Sequence, residues 1–139
     1  MKITIGCDHA GVGYKSKIVE FLKKEDHKVL DVGTFNEESV DYPDYAHLVA
    51  EEVLAGADFG ILICGSGNGV SMVANKHKGI RAALCWGEEI TKLARQHNNA
   101  NIISIPARFM SLEKSIQIIN IFLTEPFEGG RHKRRVNKI

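Results

Sequence analysis

Short apolar runs alternate with longer amphipathic segments along the whole chain. Ile3 to Cys7, Lys28 to Val32, Phe59 to Cys64, Ile80 to Cys85 and Ile102 to Ile105 read as five strands. Phe59 to Cys64 is unbroken in its apolar character, as expected of a strand covered on both faces. Between the strands lie helix-length segments. Val12 to Lys24 carries a stripe of Ile18, Val19, Phe21 and Leu22. Asp41-Tyr42-Pro43-Asp44 opens a helix running to about Ala55, because Pro is tolerated in a first turn, and Gly56 closes it. Val70 to Lys76, Glu88 to Gln96 and Leu112 to Leu123 supply three more helices. Residues 125–139 form a tail with two glycines and five Lys/Arg.

Strands alternating with helices predict an α/β fold. With short right-handed crossovers, the expectation is one domain over residues 1–139: a three-layer α/β/α sandwich around a five-stranded parallel, Rossmann-like sheet. Ligands on such sheets bind beyond the carboxyl ends of the strands. That rule directs attention to Cys7-Asp8-His9, Gly33-Thr34, Cys64 to Gly69, Cys85-Trp86 and Pro106 to Arg108.

Composition narrows the classes of partner. At 139 residues with 44% hydrophobic content, the chain can bury a core without a metal or disulfide staple. A net charge of +1 gives no global signal for nucleic acid, and the positive charge gathers in the last nine residues. No apolar run approaches the roughly 20 residues of a membrane span. Three dispersed cysteines, an odd number, argue against a secreted disulfide framework. The start of the chain lacks a signal-peptide pattern, so a reducing, cytoplasmic setting is expected. The histidines and cysteines show no zinc-type spacing, so no metal and no cofactor are expected.

The strongest chemical signal is Cys64-Gly65-Ser66-Gly67-Asn68-Gly69 at the end of the apolar strand. Three glycines in five residues let backbone N–H groups approach a phosphate or a developing oxyanion, and the following helix adds its dipole. The same field is expected to favour a thiolate at Cys64. A buried cysteine that merely packs is the competing reading. A Walker A loop needs a Lys-Ser/Thr pair where Val70-Ser71 stands, and a hydrolase elbow needs glycine where Cys64 stands. A dinucleotide site is the remaining alternative, with the wrong glycine spacing and the wrong strand. Asp8 suits a helix cap and His9 a phosphate or hydroxyl contact. Gln96-His97-Asn98-Asn99 ends a helix, where such residues are ordinary, yet an imidazole and amides can also serve sugar hydroxyls and proton transfer. Arg131 and Arg135 share a face if the tail is helical, which suits phosphate.

Taken in order, Gly6-Cys7-Asp8-His9-Ala10-Gly11, Asp41-Tyr42-Pro43, Cys64 to Gly69, Ala74-Asn75-Lys76, Gly79-Ile80-Arg81-Ala82, Arg95-Gln96-His97-Asn98 and Gly129-Gly130-Arg131-His132 with Arg135 resemble the type B ribose-5-phosphate isomerases and the related galactose-6-phosphate isomerase subunits. The resemblance covers the whole chain. It implies metal-free interconversion of ribose 5-phosphate and ribulose 5-phosphate through a cis-enediolate. It implies that Cys64 is the base, that His97 helps open the furanose ring, and that Ser66 with the backbone of Gly65, Gly67, Asn68 and Gly69 stabilises the enediolate. Asp8, Tyr42 and Asn98 are implied as hydroxyl ligands, and His9, Arg108, Arg131 and Arg135 as phosphate ligands. It further implies a homodimer, or a tetramer of paired dimers, with sites shared between chains. Two departures stand out. Ser66 replaces the threonine of many cysteine-type members. One branch places a glutamate base after the same loop, where this chain has Val70, so Cys64 is the base candidate at this loop. Isomerisation of allose or galactose 6-phosphate, or a non-catalytic nucleotide- or phosphate-binding role, are the alternatives.

Overall fold

The computed structural model describes residues 1–139. Five parallel strands, β1 (Lys2–Cys7), β2 (Lys28–Asp31), β3 (Phe59–Cys64), β4 (Ala82–Leu84) and β5 (Ile102–Pro106), form one sheet in the order β2-β1-β3-β5-β4. Six helices connect and follow them: α1 (Val12–Lys24), α2 (Tyr42–Leu54), α3 (Asn68–Ala74), α4 (Glu88–Gln96), α5 (Leu112–Thr124) and α6 (Gly130–Val136). The expected α/β/α sandwich is therefore the fold observed. None of the helices is long and apolar enough to cross a membrane.

The pleat divides the central strands between two cores. Ile61 and Ile63 of β3 join Ile3, Ile5, Ile103 and Ile105 against α1 and α5, with Ile18, Leu22, Ile118 and Phe122 fully buried. Leu62 and Cys64 point the other way, onto Val49 and Ala50 of α2 and Val70 and Ala74 of α3. Cys64 thus belongs to the smaller of the two cores, at its upper rim. Burial of the large side chains on this scale is worth about 1.5–3 kcal/mol each.

Several boundaries differ from expectation. α3 begins at Asn68, two residues early, because Gly67 adopts a left-handed backbone (φ 75°) that turns the chain into the helix. α3 also stops at Ala74, short of Lys76. β4 keeps three of its six expected residues, since Ile80 and Arg81 are held in a turn with His77 and Asn101. The basic tail contains a helix, α6, which buries His132 and leaves its arginines exposed.

Candidate active site

Parallel strands place Cys64 and Asp8 together. Cys7 of β1 lies opposite Ile63 of β3, so the residues that follow both strands emerge at one end of the sheet. Asp8 N–H donates to the Ile63 carbonyl at 3.2 Å. Its carboxylate then serves two purposes. Oδ1 accepts from Ala10 N–H at 3.0 Å, capping the turn His9–Gly11, as the sequence suggested. Oδ2 accepts from the Cys64 thiol at 3.0 Å.

A depression of about 340 Å³ opens here, lined by Asp8, His9, Cys64, Gly65, Ser66 and Arg108 among others. Pro106 lies opposite Cys64, and the chain leaving β5 returns over the glycine loop: Arg108 N–H donates to the Gly65 carbonyl at 3.1 Å. A Cβ at Gly65 would stand 3.2 Å from Arg108 Cδ and Nε, so glycine is what lets this arginine lie over the loop. Tyr42 lies across Gly69 more closely still, with ring carbons 2.6 Å from where a Cβ would stand. Ser66 Oγ accepts from Asn68 N–H at 3.3 Å, and both side chains are exposed. His9 Nδ1 accepts from Val40 N–H at 3.4 Å.

The expected thiolate is not what this geometry favours. Burial pushes the Cys64 thiol above its ordinary range, and the hydrogen bond to Asp8 and that carboxylate's charge push the same way. Backbone N–H groups of Gly67 and Gly65 pull it down, with less effect. Cys64 rests as a thiol. Cys7 and Cys85 are inert by the same reasoning, with burial raising them to about 12 and about 11.

His97, Asn98, Arg131 and Arg135 are elsewhere. α4 runs back from the end of β4, so His97 lies near the starts of the strands. Arg81 Nε donates to the Asn99 carbonyl at 2.9 Å, Arg81 N–H to Asn101 Oδ1 at 2.8 Å, and Ile102 then begins β5. Cys64 is paired with the last residue of that strand. A strand of this length separates the two ends by roughly 17–20 Å. One chain therefore carries two groups of candidate residues at opposite ends of its sheet.

The second group has its own construction. Arg95, 8% exposed, donates from Nη1 to Asn99 Oδ1 (3.1 Å) and the Ala100 carbonyl (2.6 Å), and from Nε to the Glu125 carbonyl (3.2 Å). Its guanidinium lies over the rings of Phe59 and Phe122. Glu128 N–H donates to the Gln96 carbonyl, tying the tail to the end of α4. The rings of His97 and His132 stack with centroids 4.1 Å apart at 9°, and Glu128 Oε2 stands 3.9 Å from His97 Nε2 and 3.6 Å from His132 Nε2. Burial, His97 and Arg131 hold His132 toward its neutral form, against Glu128. From sequence, Glu128 has no assigned role and His132 only a place in the Gly129 to His132 motif; Glu128 precedes α6, so helical spacing does not reveal the pair. These three residues are also the chain's one grouping with metal-ligand chemistry, ligand atoms within 4.8 Å of one another. Parallel stacking aims the imidazole lone pairs side by side rather than at one point, which suits a packed pair better than a tetrahedral ion. Arg131 and Arg135 lie exposed on α6 without an ion-pair partner in the chain.

Comparison with known proteins gives this arrangement a context. The family model described as ribose/galactose isomerase matches residues 3–139. Ribose-5-phosphate isomerase B of Escherichia coli is 45% identical, across 99% of this chain and 93% of its own length. Among solved structures, ribose-5-phosphate isomerase B of Clostridium thermocellum superposes with a TM-score of 0.98 at 47% identity, covering 99% of this chain and 94% of that one. The enzyme of Mycoplasma genitalium with bound ribulose-5-phosphate superposes with a TM-score of 0.94 at 46% identity, covering 99% and 92%. With likeness of this degree from end to end, the chain belongs to the ribose/galactose isomerase family.

Proposed function

We propose that this chain interconverts ribose 5-phosphate and ribulose 5-phosphate, with Cys64 as the group that meets the migrating proton. The observation that carries the reading is the convergence of Cys64, Asp8, Ser66, His9 and Arg108 on one depression beyond the strand ends. Relatives bearing that name at 45–47% identity support it.

In the open-chain aldose, the C2–H bond breaks and its electron pair becomes the C1–C2 π bond, while the carbonyl electrons move onto O1. Return of a proton to C1, with the O2 proton passing to O1, gives the ketose. The C2 proton is a weak acid, so the oxyanion needs donors aimed at it; losing one typically costs about 10²–10³ in rate. Ser66 and the N–H groups of Gly65 to Gly69 fill that role. Tyr42 and Asp8 hold hydroxyls. His9 and Arg108 hold the phosphate and so orient the reacting carbons. Purified chain assayed with ribose 5-phosphate, allose 6-phosphate and galactose 6-phosphate tests the substrate. We expect the highest kcat/KM for the pentose; a clear preference for either hexose overturns that choice within the same chemistry.

His97, Asn98, Arg131 and Arg135 enter the site from a second copy of the chain. Their distance from Cys64 within one chain supports this, as do Met72, Trp86 and Phe109. These three large apolar side chains are 65%, 61% and 77% exposed and follow β3, β4 and β5 at the Cys64 end. In a two-fold dimer, mixing Cys64→Ala with His97→Ala protein creates hybrid dimers with one intact site. We expect two nearly inactive proteins to recover up to about a quarter of wild-type activity after subunit exchange. No recovery, with hybrids shown to form, sinks the shared site.

A further inference from the structure

We infer that Asp8 is a catalytic residue whose carboxylate takes the thiol proton of Cys64 while Cys64 takes the carbon-bound proton of the sugar, so that the two side chains act as one base. This rests on the reading of Cys64 given above and goes beyond it by saying where the thiol proton goes.

The geometry sets the problem. A thiol cannot accept a proton from carbon while it keeps its own. Asp8 Oδ2, at 3.0 Å, is the acceptor within hydrogen-bond reach of Sγ. Both groups are buried, Asp8 at 6% and Cys64 at 8% exposure. The Ala10 N–H on Oδ1 fixes the carboxylate so that its other oxygen faces the sulfur. A thiolate formed ahead of the reaction would sit against that carboxylate in a site with little water, and two like charges this close disfavour each other strongly. The pair therefore rests with one proton and one negative charge.

The step balances within the pair and the substrate. The C2–H bond breaks and its proton bonds to Sγ. The original Sγ–H bond breaks and its proton bonds to Asp8 Oδ2. The electron pair of the C–H bond enters the enediolate, whose oxyanion carries the charge that Asp8 held. In the second half, Asp8 returns its proton to Sγ as the Sγ proton is delivered to C1. A carboxylate is an adequate base for enolising a sugar phosphate once the oxyanion is held by donors.

The other titratable groups around the pair are accounted for. His9 and Arg108 line the same depression, and Tyr42 from α2 lies over Gly69. Lys15 of α1 and Asp31 of β2 pair with each other at 2.5 Å. Both act on the neighbouring Cys7, Lys15 lowering its pKa and Asp31 raising it. None of these groups bonds to Sγ or to Asp8 Oδ2.

The test is the pH dependence of kcat/KM for ribose 5-phosphate, from acid to alkaline pH, in wild type, Asp8→Asn and Asp8→Glu. Wild type is expected to be flat through neutrality, with an acid limb in the carboxylate range, the apparent value belonging to the pair. Asp8→Asn is expected to fall by about 10²-fold or more at neutral pH. Its residual activity should climb about tenfold per pH unit toward the thiol range. Asp8→Glu should keep the acid limb in the carboxylate range at lower kcat. The rate of Cys64 alkylation by iodoacetamide reads the same coupling without turnover. Removing the acceptor and its charge should move the alkylation midpoint to lower pH in Asp8→Asn. Three results overturn the inference: a wild-type profile that itself climbs into the thiol range, an Asp8→Asn loss that is equal at every pH, or an unchanged alkylation midpoint. If Asp8→Asn does not fold, the wild-type and Asp8→Glu profiles decide. A wild-type chain that does not isomerise ribose 5-phosphate at all fails the functional reading instead.

Discussion

Cys64→Ala is expected to lower kcat for ribose 5-phosphate by about 10²–10⁴-fold, the contribution of a positioned proton-transfer group, while sugar-phosphate affinity stays within a few-fold. The asymmetry follows from how the site is divided. Sγ, His9 and Arg108 all line the depression, but the phosphate contacts proposed above belong to His9, Arg108 and the tail arginines, not to the thiol. None of those groups is held in place by the thiol, whose side-chain hydrogen-bond partner is Asp8. Removing the single sulfur atom at the rim of the smaller core leaves a small void beside the depression, so folding is little affected. Val70, the first residue after the glycine loop, cannot take over the proton transfer: it is fully buried in the core and has no proton to exchange. Steady-state kinetics, together with calorimetric titration of a non-isomerisable sugar phosphate, checks both halves. Turnover within tenfold of wild type would remove Cys64 from the chemistry.

The second large effect concerns stability. Arg95→Ala is expected to cost at least about 3 kcal/mol, since a buried charged donor to three acceptors is lost and those acceptors are left unpaired. That corresponds to a fall in Tm of roughly 10 °C for a domain of this size. The guanidinium also fills the space over Phe59 and Phe122, so truncation leaves a cavity as well as orphaned carbonyls. Burial lowers the Arg95 pKa, yet an arginine remains charged at any working pH. The same residue shapes the turn that presents His97 and Asn98, through Asn99, which adopts a left-handed backbone (φ 48°). The variant should therefore lose kcat as well as stability. Thermal denaturation followed by circular dichroism measures the first effect. A shift of less than about 3 °C would show that the turn is held by other contacts.

These two residues illustrate what a one-dimensional reading reaches. The alternation of apolar runs and amphipathic segments was enough for the sheet, because β3 is an unbroken apolar run, β5 is interrupted only by Ser104 and the helices carry clear stripes. Boundaries failed where one backbone angle or a distant partner decides them, as at Gly67 for α3 and at Arg81 with Asn101 for β4. The helix in the tail was legible only as a condition, since α6 has little apolar content and is anchored by His132 against His97. The glycine loop pointed to a cysteine that lines the depression but suggested a thiolate, where burial and Asp8 favour the thiol. The residue that reverses it, Asp8, lies 56 positions earlier and meets Cys64 only because β1 and β3 are neighbours. Local sequence reports the N–H groups that favour an anion; it takes the strand order to report the carboxylate that opposes it.

A cysteine kept protonated at the edge of the depression has a further consequence, for the molecule's encounters with electrophiles and oxidants. Peroxide, maleimides and other thiol-seeking reagents attack the thiolate, and their selectivity follows thiolate fraction and exposure. Cys64 offers little of either, being 8% exposed and held as a thiol by Asp8. Cys7 and Cys85, fully buried and raised further, offer less still. With Cys64 as the proposed proton-transfer group, the chain is expected to lose activity to peroxide more slowly than an enzyme relying on a free thiolate. Compounds meant to block it gain more from the shape and charge of a sugar phosphate than from a reactive warhead.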